Sequence, residues 1–100
     1  MSRAQLEALV SEATVDCSDE EEQVTGLYTM IVDNLAVPFQ TTILGVDVTV
    51  KDIDMTGRGD IVARCSRGAF EQVVSLLDLP LPTPRPEGVQ WIEAYRYWAR

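Results

Sequence analysis

Carboxylates dominate the chemistry this chain could do. Asp16, Asp19, Glu20, Glu21 and Glu22 fall within seven positions and Asp33 follows eleven residues on, with no Lys or Arg among them. A second group, Asp52, Asp54 and Asp60, lies in D-I-D-M-T-G-R-G-D. Oxygen-rich clusters of this kind suit hard cations. Calcium takes six to eight oxygens at about 2.3–2.6 Å in forgiving geometry. Exposed carboxylates also repel one another, by roughly 0.7 kcal/mol for a pair about 6 Å apart in water, and a divalent ion relieves that repulsion. Two places therefore qualify as cation sites. One is the acidic entrance around Asp16, Glu20, Glu21 and Glu22, where the positive end of a helix dipole opposes a cation and the carboxylates must outweigh it. The other is the Asp52–Asp60 segment. It opens like an EF-hand loop but has Ala63 where the twelfth position needs a bidentate Glu, and its flanks read as strands, so it is not an EF-hand.

Other chemistry is poorly supplied. Histidine is absent, which removes most general-base, triad and zinc-ligand arrangements. No phosphate-binding loop, dinucleotide fingerprint or nucleophile elbow occurs. Carboxylate pairs alone do not make a glycosidase in so small a chain. The reading is therefore a protein that is not an enzyme. The formal net charge is −8, and it is uneven: residues 1–60 carry 12 acidic and 3 basic side chains, residues 61–100 carry 4 and 5. That excludes nucleic acid and anionic membrane as partners and favours cations or basic proteins. Glu7 and Glu12 interrupt the N-terminal apolar stretch, so neither a signal peptide nor a membrane span is expected, and a cytoplasmic location is. Cys17 and Cys65, without a C-x-x-C, are expected to be free thiols.

The elements that must position these groups follow from periodicity. One hundred residues make a single domain able to bury about two-thirds of its unfolded surface. Ser2 and Gln5 form a capping box for a helix from about Arg3 to Ala13, with Leu6, Leu9, Val10 and Ala13 on one face. Ser18 and Glu21 form a second capping-box pattern and place the next helix start near Asp19. Val24, Leu27, Tyr28, Ile31 and Leu35 make its apolar stripe, and Pro38 stops it. On the opposite face Glu22, Gly26, Thr29 and Asp33 recur at helical steps. Glu22 and Asp33 are three turns apart, about 16 Å, so no single ion reaches both.

After Pro38 the period changes. F-Q-T-T-I-L is a short strand. V-D-V-T-V-K alternates strictly, with Val46, Val48 and Val50 on one face, and I-D-M prolongs it to Met55. Gly57 and Gly59 turn the chain; I-V-A-R-C-S-R and F-E-Q-V-V return it, and Leu76, Leu77 and Leu79 cap the core. Pro80, Pro82, Pro84 and Pro86 make a stiff extended strap leading to a closing helix with Trp91, Tyr95 and Trp98 on one face. The fold class is α+β: a small antiparallel sheet or SH3-like partial barrel flanked by two N-terminal helices and one C-terminal helix. Its parts are an acidic helical segment (1–37), the sheet (39–79), and the strap with its helix (80–100).

Structural roles compete for the same acids. Glu21 could serve only as a cap; Asp19, Glu20 and Glu22 could only favour the helix N-terminus. Asp52, Asp54 and Asp60 could be turn and edge charges that discourage sheet aggregation.

The stretch E-E-Q-V-T-G-L-Y-T-M-I-V-D-N-L-A-V-P-F resembles the small acidic bacterial calcium-binding proteins of the CcbP type. The shared residues are Asp16, Glu21-Glu22-Gln23, Gly26, Tyr28, Asp33, Leu35 and Pro38-Phe39. The Val46-Val48-Val50 strand, the Leu-Pro segment and the closing W-I-E-A-Y-R-Y-W follow in order, so the resemblance spans Val15 to Trp98. It implies a compact α+β domain that binds Ca2+ without EF-hands, and it carries Asp16, Glu21, Glu22 and Asp33 over as ligands. Two positions depart from the pattern. Val32-Asp33 stands where an acidic pair is usual, and Leu27 where an aromatic follows the helix glycine. Asp52, Asp54 and Asp60 are candidate metal ligands from the residues alone. The expected function is a calcium buffer or sensor with calcium as its partner; the alternative is an acidic module that docks a basic protein with no metal.

Overall fold

A computed structural model describes all residues from Met1 to Arg100. Two helices come first, α1 (Arg3–Ala13) and α2 (Glu20–Asn34), then strands β1 (Phe39–Ile43), β2 (Val46–Met55), β3 (Ile61–Arg67) and β4 (Phe70–Ser75), and last the helix α3 (Gln90–Ala99). No helix is long and apolar enough to cross a membrane.

The strands form one open antiparallel sheet in the order β1-β2-β3-β4. This is the small antiparallel sheet of the expected α+β fold, with β1 and β4 as its open edges. The proline strap runs beside β1, where the Thr41 hydroxyl donates to the Pro80 carbonyl at 2.6 Å.

The core shows why these elements form. Leu27 and Ile31 of α2, Val50 of β2, Ile61 of β3, Ile92 of α3, and Leu76 and Leu79 after β4 are completely buried. The apolar stripe read on α2 is this core face. Leu77 does not join it and is 46% exposed, because the turn after β4 points Leu76 and Leu79 inward and leaves the two residues between them, Leu77 and Asp78, outside. The closing helix is bonded to every layer. Trp98 Nε1 donates to Gln23 Oε1 at 2.9 Å, the Tyr97 hydroxyl to Glu7 Oε1 at 2.8 Å, and the Ile61 amide to the Tyr95 hydroxyl at 3.4 Å. Arg96 donates to the carbonyls of Leu76 and Leu79, which ties down the exit from β4.

Three local expectations are corrected. The N-cap of α2 is Asp19, one residue later than the Ser18 pattern implied; its carboxylate accepts from the Glu22 amide at 2.8 Å, while the Ser18 hydroxyl donates to Glu22 Oε1 at 2.6 Å. Only Gly59, not Gly57, adopts positive φ in the β2–β3 turn. The alternation of β2 is interrupted at Lys51, where pairing with β3 passes from Val50↔Cys65 to Asp52↔Arg64. This bulge lets Val50 and Ile53, three residues apart, both face the core and turns Asp52 and Asp54 away from it.

Both cysteines are free. Cys65 is 4% exposed, and burial pushes its thiol pKa up, whereas Cys17 sits half-buried in the α1–α2 turn. Thiolate, not thiol, is the reactive form. A thiol-reactive dye should therefore label Cys17 rapidly in the native protein and Cys65 only after denaturant is added; equal labelling rates at both would contradict this packing.

Candidate functional site

The acidic entrance of α2 is built by a tight reversal. α1 ends at Ala13, and Asp16, in the left-handed region at φ 62°, turns the chain, a conformation Asp tolerates better than most residues. Gly26 permits α2 to cross directly over the end of α1, because a Cβ there would overlap the Ala13 carbonyl oxygen. The Glu22–Gly26–Thr29 row is therefore a helix crossing at its centre. Cys17 and Glu22 belong to this crossing too: the Cys17 thiol donates to the Glu22 carbonyl, and the Glu22 carboxylate is held by Ser18.

The β2–β3 turn comes up beside it. Thr56 organises that turn: its hydroxyl accepts from the amides of Arg58 and Asp60, and its amide donates to the Asp60 carbonyl at 2.9 Å. Gly59 faces Val24 of α2, at 3.6 Å for a Cβ placed there. The two acidic segments read separately in the sequence thus meet across one cleft of about 690 Å3. Glu20 and Glu21 line one wall, Asp60 and Arg58 another, and Trp98 and Arg100 close it from α3. Glu21 also lines a shallower groove along α2 with Asp19, Glu22 and Thr25.

The remaining candidates lie elsewhere. Asp33 is exposed near the far end of α2, and Asp16 lines neither cleft. Asp52 is engaged on the outer face of the sheet, 3.6 Å from Arg64, which in turn reaches Glu71, itself paired with Lys51. Hydrogen bonding to Lys51 holds the Glu71 carboxyl below the usual carboxylate range. Asp54 accepts from the Met55 amide at 2.8 Å. No three Asp, Glu or Cys side chains converge on one point in the resting arrangement.

The ion pairs separate the carboxylates into two kinds. Glu7, Asp52, Glu71 and Glu93 each have a basic partner. The other twelve have none, among them Asp16, Asp19, Glu20, Glu21, Glu22, Asp33, Asp54 and Asp60. Glu20, the first residue of α2, reaches the cleft wall because the helix is capped at Asp19. Glu21 does no capping, since Asp19 performs it, and its carboxylate is uncommitted.

No protein-family model matches this chain, and no curated protein does. Solved structures do. One is described as a calcium binding protein in the calcium-binding form, with a TM-score of 0.76 and 18% identity, covering 99% of this chain and 95% of that one. Another is the crystal structure of Anabaena CcbP, with a TM-score of 0.73 and 18% identity, covering 99% of this chain and 92% of that one. Likeness at this identity establishes the fold, which is the α+β arrangement that the sequence resemblance implied.

Proposed function

We propose that this chain binds calcium ions through carboxylates and without an EF-hand, at the cleft between the start of α2 and the β2–β3 turn. The observation that carries the reading is the set of carboxylates without a basic partner, placed on the fold of a protein described as calcium-binding in its calcium-binding form. Oxygen donors are what a hard cation takes. Glu20, Glu21 and Asp60 would hold the ion; their exposed side chains can rotate toward one another between staggered rotamers. Arg58 and Arg100 line the same cleft and oppose a cation, and the ligands must be gathered on binding. Both effects favour modest affinity, on the order of 10⁻⁵–10⁻³ M. Asp16, Glu22 and Asp33, the positions carried over by resemblance, and Asp54 would act as secondary ligands or as contributors to the attracting field. Asp52 is the weakest of the candidates, because Arg64 already neutralises it.

Titration calorimetry with calcium, with magnesium as the control, tests this. Glu21→Gln combined with Asp60→Asn should weaken calcium binding at least tenfold while leaving the circular dichroism spectrum unchanged. Unaltered affinity in that double variant would clear the cleft of the role. The second reading is a basic protein that docks on the same unpaired carboxylates without metal, and it takes over if calcium produces no heat in the wild-type chain.

A further inference from the structure

The chain has 8 basic side chains, and all but one engage another group of the fold. Arg3, Lys51, Arg64 and Arg85 meet carboxylates. Arg67 and Arg96 donate to backbone carbonyls. Arg100 donates from Nε to the Tyr97 carbonyl at 3.0 Å, and its guanidinium lies 4.1 Å from the centre of the Tyr97 ring. The exception is Arg58, whose side chain makes no hydrogen bond, ion pair or ring contact.

The position of Arg58 gives that freedom a consequence. It lines the cleft together with Glu20, Glu21 and Asp60, three carboxylates that lack a basic partner as well. One cleft therefore holds an unpaired cation beside unpaired anions. Its backbone is fixed even though its side chains are not. The Thr56 hydroxyl accepts from the Arg58 amide at 3.3 Å and from the Asp60 amide at 3.2 Å, so one clamp carries both residues. Gly59, between them, lies against Val24 of α2. What stays free is the exposed Arg58 side chain, which changes rotamer on the picosecond to nanosecond scale.

We infer that Arg58 is the cleft's own competing cation and sets how much calcium is needed to fill it. The inference rests on the calcium reading of the cleft and concerns the regulation of that same site. A guanidinium presents a planar fork of donors that matches a carboxylate. In the empty cleft Arg58 eases the mutual repulsion of Glu20, Glu21 and Asp60. A bound ion does this in its place, so Arg58 must withdraw and then stand close to a dication. Both effects raise the dissociation constant. Arg100 is tied to Tyr97 and contributes a fixed field without competing for the carboxylates. The turn need not open for the exchange, because Thr56 holds Asp60 in place while the Arg58 side chain leaves.

Calcium titration calorimetry on the full chain carrying Arg58→Gln tests the inference. The variant should bind calcium roughly three- to tenfold more tightly than the wild type, the effect of removing a unit charge about 6–10 Å from a dication in water. The gain should nearly vanish in 1 M salt, where the screening length is about 3 Å, which an effect of packing would not do. Arg58→Lys keeps a point charge and should match the wild type closely. Arg67→Gln makes the same change in net charge from the far end of β3, roughly 20 Å away at about 3.3 Å per residue, and should leave the affinity unchanged. A wild type that takes up calcium and an Arg58→Gln variant that binds it no more tightly overturn the inference and leave the cleft its ion. An equal gain in Arg58→Lys or in Arg67→Gln overturns it too. Calcium without heat in both the wild type and Arg58→Gln removes the calcium reading of the cleft and the inference with it.

Discussion

Gly88→Ala will lower the unfolding free energy by about 3–5 kcal/mol, the range reserved for substitutions with a specific structural fault. Two effects combine at this position. Gly88 has φ 89°, a backbone conformation that L side chains rarely adopt. It also lies against the end of α2, where a Cβ would overlap the Asn34 carbonyl and crowd Leu35 Cα, all of it backbone that no rotamer change can move. The amide of Ala36 donates to the Glu87 carbonyl at 2.8 Å in the same contact, so the chain entering α3 is clamped to the chain leaving α2. Gly45→Ala is the proper control. Its φ is 77°, but nothing lies within 4 Å of a Cβ there. It should lose only about 1–2 kcal/mol, the strain of the left-handed conformation. Urea unfolding of the two variants separates the effects, and equal losses would show that the close approach at Gly88 is not real. Single domains of this size hold only about 5–15 kcal/mol, so Gly88→Ala should be marginally folded.

Calcium should move stability in the other direction. At a hundredfold excess over the dissociation constant, an ion that binds only the folded chain adds about 2.7 kcal/mol. For a domain of this length that is a rise of roughly 10–20 °C in melting temperature. Magnesium should do much less. It demands near-octahedral geometry at about 2.0–2.1 Å and gives up water reluctantly, which flexible surface carboxylates do not satisfy. A scanning calorimeter reads both, and a melting temperature indifferent to millimolar calcium would contradict the proposed function.

The helices were legible because each buries one stripe at helical spacing. Of the stripe Val24, Leu27, Tyr28, Ile31 and Leu35, four residues are buried, and Tyr28 is half-buried with its hydroxyl donating to the Ile53 carbonyl at 3.4 Å. The strand positions were legible from alternation and turn residues. The bulge at Lys51 does leave a mark in V-D-V-T-V-K-D-I-D: Lys51 and Asp52 are two polar residues in a row, and the apolar positions pass from Val46, Val48 and Val50 to Ile53, a slip that a strand taken as regular overlooks. Read as one regular strand, the sequence places Asp52 and Asp54 on the same face as Val50; in the fold Ile53 takes that face. Whether the sheet stays open or curls into a partial barrel was left undecided by the sequence, because edge strands and paired strands have the same periodicity. The cleft was legible only in pieces. Glu20 and Glu21 are separated from Asp60 by about forty positions, and they meet because Gly59 lies against Val24. Ion pairing was equally invisible: nothing in the sequence distinguishes Asp52, paired with Arg64, from Asp60, paired with nothing.

Crystals grown with calcium and measured for anomalous scattering test the central claim most directly. The account predicts an ion in the cleft, with carboxylate oxygens of Glu21 and Asp60 about 2.3–2.6 Å from it. Ordered crystals at saturating calcium with an empty cleft, or with the ion held elsewhere and Glu21 and Asp60 untouched, would contradict it.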